Sequence, residues 1–384
     1  MATLAAVGSN KSIEIVAESS FGVTTPTAAT AYLRAKSGAK FELKRDTFTS
    51  NELRADRQVG SLTYGTRSGS GEIPFEFSYG SFDDLLEAVM GDTWSTNVLK
   101  VGNTKRSFSV VEGYPDINLF EVNTGCVFTG FSLAVKPNAM VEGSFSALFK
   151  DQTCIQYADD GVTTMAFDGT GKTITRSAGS FITDGFAVGQ TVKITGASVA
   201  GNNQSIVLSD VSALVLTAST ATITDDTAKT GVTICRILDA DPTAVNANEV
   251  FDSFTGVIKQ DTATVAIVTG IDVKFDQAGQ ANNVLFDATA QSITLGKVNV
   301  TGTVTVRFVN NALKQKFLNG TAVALEFTLG DGTTKSYKFE MGTAKYTSAT
   351  TDAGENELTQ TLNFTAIYDT SDASTLVITR IPGA

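Results

Sequence analysis

Gly71-Glu-Ile-Pro-Phe-Glu-Phe-Ser-Tyr-Gly-Ser-Phe-Asp-Asp-Leu-Leu86 changes its period half-way along. Ile73, Phe75, Phe77 and Tyr79 alternate with Pro74, Glu76 and Ser78, which puts branched and aromatic side chains on one side of a half-buried strand. From Ser81 the spacing turns helical. Ser81 can cap a helix, and Asp83 and Asp84 fall in its first turn, where the helix dipole favours negative charge. Leu85, Leu86 and Val89 form an apolar face, and Gly91 ends the helix. The same sequence of events recurs at 297–320. Val298, Val300, Gly302, Val304, Val306 and Phe308 share one side of a strand longer than the usual ~5–6 residues. Asn310 or Asn311 can cap the helix that follows, Leu313 and Phe317 stack four apart on it, and Gly320 stops it. Strands this long suit a barrel wall or an extended sheet.

The two stretches superpose at an offset of 231 residues. Gly65 falls on Gly296, Gly71 on Gly302, and Ile73, Phe75 and Phe77 on Val304, Val306 and Phe308. Phe82 and Leu86 fall on Leu313 and Phe317. Upstream, Phe41 and Leu43 sit near Val273 and Phe275 with the offset drifting by one. Downstream, Phe145-Ser-Ala-Leu-Phe149 matches Phe364-Thr-Ala-Ile-Tyr368 at 219. One pair of amphipathic strands always resembles another, but elements repeating in one order indicate an internal duplication. Between the halves, residues 158–234 are rich in Thr, Ser, Gly and Asp. Short strands at Thr191–Thr195, Ser205–Leu208 and Ala213–Leu216 alternate with turns there, as in a small separate β domain. The expected organisation is an N-terminal arm (1–30), a first unit (31–155), an inserted small β domain (156–240) decorating the outside, and a second unit (241–384).

Composition narrows the function. The 384 residues allow two or three domains. Histidine is absent, which removes imidazole bases, His-ligated metals and Ser-His-Asp triads. Lys+Arg 29 against Asp+Glu 40 leaves a net charge of −11, unsuited to gripping a phosphate backbone. Cys126, Cys154 and Cys235 form no C-x-x-C pair, and their odd number points to a reducing site of assembly with three buried thiols rather than a disulfide framework. The N-terminal stretch lacks the features of a signal peptide, and no run approaches the ~20 apolar residues of a membrane helix. Gly169-Thr-Gly-Lys-Thr173 fails the spacing of a phosphate-binding loop, because Ala166 stands where the first glycine is needed. Asp159-Asp160 and Asp225-Asp226 lack calcium-loop spacing and read as turn residues. No catalytic set, metal site or cofactor emerges.

A strand, a long loop, a strand, one helix and closing strands resemble the layout of phage tail tube proteins. The run Ser50-Asn-Glu-Leu-Arg-Ala-Asp-Arg-Gln-Val59 followed by Gly71–Leu86 is similar to the major tail tube proteins of long-tailed bacteriophages. So are Phe131-Ser-Leu-Ala-Val-Lys-Pro-Asn138, Lys316-Phe-Leu-Asn-Gly320, Lys345-Tyr-Thr-Ser348 and Leu376-Val-Ile-Thr-Arg380. The resemblance covers roughly 35–155 and 245–381. Ser180–Gly189 resembles add-on β domains of virion proteins. The resemblance implies an all-β fold with short helices: two tandem β-barrel or sandwich units plus the insert. It also implies rings that stack into a hollow tube in the virion tail, assembled in the bacterial host cytoplasm. The implied partners are further copies of the chain, the tape-measure protein, the tail terminator and distal tail proteins, and viral DNA that passes without tight binding. No membrane is involved.

Within that frame, Lys44 to Ser70 reads as a long loop without secondary structure, carrying Lys44, Arg45, Arg54, Arg57 and Arg67 among Asp46, Glu52 and Asp56. It is either a solvated loop or an inter-ring stacking loop whose mixed charges select register. The site residues expected for stacking are Lys44, Arg45, Arg54, Asp56, Arg57 and Arg67. Phe82, Leu86, Leu313 and Phe317 are expected to pack the helices on the barrel. Single-unit relatives form hexameric rings, so a two-unit chain implies a trimer with pseudo-sixfold symmetry. The competing class is a secreted or surface β-rich adhesin, which would bring a signal peptide and no duplicated strand–helix unit.

Overall fold

A computed structural model describes residues 6–24, 29–117, 119–154, 156–157, 161–239, 242–265, 267–352 and 357–383. The first part of the chain forms β1 (Ser12–Ala17), β2 (Ala31–Tyr32), β3 (Lys40–Thr49), β4 (Leu62–Glu76), α1 (Asp83–Met90), β5 (Val98–Lys100), β6 (Phe108–Tyr114), β7 (Leu119–Val135), β8 (Glu142–Phe149) and β9 (Asp151–Thr153). The middle forms β10 (Gln156–Tyr157), β11 (Met165–Asp168), β12 (Thr173–Arg176), β13 (Thr191–Thr195), β14 (Ser205–Val211), β15 (Val215–Ala218), β16 (Asp226–Lys229) and β17 (Thr233–Ile237). The last part forms β18 (Gly256–Gln260), β19 (Ala263–Thr264), β20 (Val268–Asp276), β21 (Gln280–Asn282), β22 (Ser292–Thr294), β23 (Asn299–Arg307), α2 (Ala312–Leu318), β24 (Val323–Leu329), β25 (Ser336–Asp352), β26 (Thr359–Ala366) and β27 (Val377–Ile381). The fold is all-β with two short helices. The chain divides into two compact units, one within 1–33, 107–126 and 150–245, the other within 34–106, 127–149 and 246–384.

The second unit carries an antiparallel sheet in the order β3·β4·β8·β7·β20·β23·β26·β25. Its first four strands and its last four are the same arrangement used twice. Phe41 lies opposite Gly71 in one and Val273 opposite Gly302 in the other, offsets of 273 − 41 = 232 and 302 − 71 = 231. The closing strands fit a different spacing from the one read in the sequence. Gly71 faces Ala147 and Gly302 faces Phe364, so the offset is 364 − 147 = 217 rather than 219. A slip of two residues keeps every side chain on its own face, so apolar periodicity alone could not separate the two. The irregularities repeat as well. Thr129 is the extra residue of a bulge in β7, and Thr347 of one in β25.

At 17 residues β25 is long enough to serve two sheets. Its N-terminal part pairs with β24 and β27, and these continue to β18 and β5. Phe75, Phe77, Phe82 and Phe145 fill the second unit's core with ring centroids 4.7–6.1 Å apart, and Phe327 stacks on Phe339 at 4.7 Å.

In the first unit β2·β1·β6·β7·β9 pair in series, in the same order as β19·β18·β24·β25·β27. Thr124–Gly125 of β7 oppose the single residue Ser109, just as Gly342–Thr343 of β25 oppose Ala324. Ser12–Ala17, inside the segment expected as an arm, therefore stands in the first repeat where Gly256–Gln260 stands in the second. The same unit holds the eight-stranded insert, ordered β10·β17·β13·β14·β15·β12·β11·β16. Met165, Phe167, Phe181, Val192, Ile206 and Ile234 are among the residues of its own buried core. Gln156 pairs with Cys235 and Tyr157 with Ile234, so the chain enters and leaves the insert side by side.

Several local expectations resolve differently. Cys126 and Cys235 are buried, but Cys154 is exposed. Phe82, not Ser81, occupies the N-cap of α1, and Ser81 instead bonds Ser78 and Asn246. Ahead of α2, the Asn310 side chain accepts the Ala312 N–H at 2.9 Å. Gly169–Lys172 form the turn between β11 and β12, braced by Asp168 and Asp225. Asp226 accepts the N–H groups of Ser198 and Val199, the ordinary work of a turn carboxylate. Asp159 and Asp160 lie outside the described residues.

Candidate assembly interface

The segment expected to be an unstructured loop is mostly a hairpin. β3 and β4 stay paired out to Thr49 opposite Leu62, which leaves only residues 50–61 as loop. Lys44–Thr49 are exposed throughout and Gly65, Thr66 and Arg67 opposite them are only half-buried, so the extension lacks the one-sided apolar alternation that marks a half-buried strand. Lys44, Arg45 and Arg67 are thus strand residues. Arg45 lies opposite Arg67 and places its guanidinium 4.4 Å from the centre of the Tyr64 ring. Arg54, Asp56 and Arg57 occupy the loop. Arg54 grips Asp56 with two hydrogen bonds of 3.0 and 2.9 Å, which hold that carboxyl below its usual range. Arg57 adopts φ 58° and closes the turn through its N–H to the Arg54 carbonyl. Beside these charges Leu53 is 104% exposed and Val59 68%.

Duplication places a second protrusion at 277–298, which the sequence reading missed. It holds the small hairpin β21·β22, with Leu285 86% and Phe286 107% exposed at the tip. Its base is fixed to the same unit by Gln277, which donates from its backbone to Thr129 and from its side chain to the Val89 carbonyl, and its tip loop is tied to β4, where the Arg67 N–H donates to the Ala288 carbonyl. The 231-residue offset could have located it, since it maps loop 50–61 into this stretch.

The eight-stranded sheet has two unlike faces. Phe41, Ile73, Phe145, Phe131, Phe275, Val304 and Leu362 are buried on one. The other presents Glu42, Glu72, Ser144, Ser132, Asp272, Thr303, Asn363 and Thr350, one from each strand. Small polar groups link across it: Ser132 to Ser144 at 3.0 Å, Thr303 to Asn363 at 2.8 Å, and Asn363 to Ser348 at 2.9 Å. A shallow concavity opens on this face over β7, β20, β23 and β26. Hydroxyls and amides alternate there with the carboxylates of Glu42, Glu72 and Asp272 and the ammonium groups of Lys40 and Lys274, which gives a hydrated surface of mixed charge rather than a cationic groove for a polyanion.

The helices differ between repeats. In α1, Phe82 and Leu86 are buried, and Asp83 ties the helix down by accepting from Arg380 at 2.5 Å and from the Tyr337 hydroxyl. Burial beside that carboxylate pushes the Tyr337 phenol far up. In α2, Leu313 and Phe317 are only half-buried. Among the described residues no cluster of acidic residues and cysteines has the makings of a metal site. Among the described residues no helix is long and apolar enough to cross a membrane.

A family model described as phage tail tube protein matches residues 8–366. The chain belongs to that family. No curated protein matches it. It is therefore a structural virion protein of the tail tube, built to assemble with copies of itself and with other tail components. The match runs through both repeats and the insert.

Proposed function

We propose that this tail tube protein is the major subunit of stacked rings forming a hollow tube, which encloses the tape-measure protein and later conducts the genome during ejection. The observation that carries this is the eight-stranded sheet. It is one four-strand module used twice, and its two ends, β3 and β25, are different strand edges. Unlike ends join head to tail, and a head-to-tail contact that closes makes a ring. Joining sheets also removes edges that would otherwise aggregate.

The polar face lines the channel in this reading. Its hydroxyls and amides keep DNA hydrated, and a chain with net charge −11 gives phosphates little to hold. The two protrusions, with Lys44, Arg45, Arg54, Asp56, Arg57 and Arg67 on one and Leu285 and Phe286 on the other, reach the neighbouring ring. The insert, which enters and leaves through adjacent strands, decorates the tube without forming its wall. Tail terminator and distal tail proteins cap the ends, and assembly takes place in the host cytoplasm. Negative-stain microscopy of the purified chain tests the reading. Rings or tubes with a central hole are expected, and isolated globules at high concentration would count against it.

A further inference from the structure

We propose that ring closure pairs β25 of one copy with β3 of the next, in a register that the chain already displays between its own repeats. The inference rests on the tube reading and adds the residues that meet. Inside the chain, the first repeat joins the second through β7·β20, with Phe131 opposite Phe275, Ser132 opposite Lys274, Leu133 opposite Val273 and Ala134 opposite Asp272. The repeats are related strand by strand: β7 maps onto β25 at +218, since Thr129 and Thr347 are the same bulge residue, and β3 maps onto β20 at +232.

Advancing the junction by one repeat turns β7 into β25 and β20 into the next copy's β3. Phe131 becomes 131 + 218 = 349, Ala349, and Phe275 becomes 275 − 232 = 43, Leu43. The ladder then reads Ala349 opposite Leu43, Thr350 opposite Glu42, Thr351 opposite Phe41 and Asp352 opposite Lys40.

Five features support this pairing. Both strands are available: among the described residues β3 pairs with β4 alone, and 346–352 of β25 pair with β26 alone. The ladder sets the exposed Asp352 against the exposed Lys40, a favourable cross-strand pair. It also sets the Thr350 hydroxyl against the Glu42 carboxylate. The small Ala349 faces Leu43 where two phenylalanines stack at 5.6 Å inside the chain, so volume is traded across the junction without like charges meeting. The extent of the ladder is defined too. At the internal junction Gly130 lets the Phe275 carbonyl approach to 2.5 Å from where a Cβ would stand. Its counterpart is Ser348, so close pairing begins at Ala349. An isologous β3·β3 contact centred on Glu42 would oppose two carboxylates and leave β25 bare.

The test is cysteine cross-linking in assembled rings, in a Cys154→Ser background that removes the exposed thiol. E42C/T350C places the two thiols directly opposite. E42C/S348C places them two residues out of register, where the ~7–8 Å diagonal spacing is too long for a disulfide. Mild oxidation is expected to turn E42C/T350C into a ladder of covalent oligomers on non-reducing gels and to leave E42C/S348C monomeric. A charge exchange reads the same junction independently of thiol geometry. K40D is expected to cut ring yield several-fold and K40D/D352K to restore it. Rings that cross-link through Ser348 instead, or that cross-link through neither pair and gain nothing from the charge exchange, would overturn the register and leave the tube reading standing. Absence of any ring or tube from the wild-type chain would remove both.

Discussion

Gly302 shows how tightly single positions are set in the duplicated sheet. A Cβ there would stand 2.3 Å from the Asp272 carbonyl oxygen and 2.5 Å from the Phe364 ring, whereas at Gly71 the nearest atoms belong to the Phe41 ring. A backbone oxygen fixed by the ladder has less room to retreat than a side chain. Gly302→Ala should therefore destabilise by about 1–3 kcal/mol and by more than Gly71→Ala, as read from urea unfolding midpoints. Glu14 offers a second test. It is buried in β1, it accepts from the Thr30 hydroxyl at 3.0 Å, and burial with Asp239 nearby raises its pKa to about 7. A carboxyl raised in the fold binds its proton more tightly there than in the unfolded chain. The fold thus bears no penalty at pH below its ordinary value of 4.5 and loses stability as pH climbs through about 7. Glu14→Gln should be near neutral at pH 4.5 and stabilising by up to roughly 3 kcal/mol at pH 8. Thermal melts at the two pH values check the sign, and an equal effect at both would show that Glu14 does not titrate in this range.

At the scale of elements, the two protrusions carry the expected contact between rings. Exchanging Arg54 and Arg57 for Glu leaves the buried core untouched, so the chain should still melt within about 0.5 kcal/mol of wild type. Stacking should weaken, with a deficit that depends on ionic strength because exposed charges are screened within about 8–10 Å. Sedimentation of tubes across a salt series reads this, and an unchanged yield would return loop 50–61 to a solvated role. Leu285→Ser with Phe286→Ser should also reduce stacking, in this case without a salt dependence. The two protrusions were unequally legible. Phe75, Phe77 and Val304 alternate with polar residues against a buried core, so their strands and the helices after them stand out. Lys44–Thr49 are exposed throughout and within Leu62–Ser70 only Gly69 is buried, so these strand ends lack the alternating apolar side chains that make a period readable. At the offset the 277–298 protrusion keeps only Asn282, Asp287 and Ser292 in common with loop 50–61 and none of its arginines, so its composition alone does not mark it as a counterpart. Ser12–Ala17 offers only a short alternation, Ile13 and Ile15 about Glu14, inside an Ala/Ser/Thr-rich terminus, and the burial of Ile13, Glu14 and Ile15 in a row comes from packing that this pattern does not announce. Cys154 carries no sequence signal that separates it from two buried cysteines.

At the scale of the molecule, the insert and the ring count belong together. Deleting 158–234 and bridging Tyr157 to Cys235 with a short Gly/Ser link joins two ends that already lie on adjacent strands. It keeps Cys235, Ile237 and Leu238, which cover Val111, Phe120 and Val122 in the first unit. Tubes are expected to form from this variant, and a folded, soluble product that cannot make rings would place the insert in the wall. The number of inserts around an intact ring then counts the chains. Each chain supplies eight strands as two equivalent sets of four, so three chains supply six sets and 3 × 8 = 24 strands. The internal junction β7·β20 and the junction between chains alternate around such a ring. In such a ring the internal one is held by the tether, so it needs less affinity of its own than the junction between chains. A closed ring of three weighs 3 × 40.3 = 120.9 kDa, and one of six would weigh 241.8 kDa. Native mass spectrometry of single rings, or rotational averaging of end-on images, separates the two. Three peripheral densities on a ring with sixfold inner modulation is the expected image. Six peripheral densities would mean that each chain acts as one large unit and that its two repeats are not the ring's equivalent sectors.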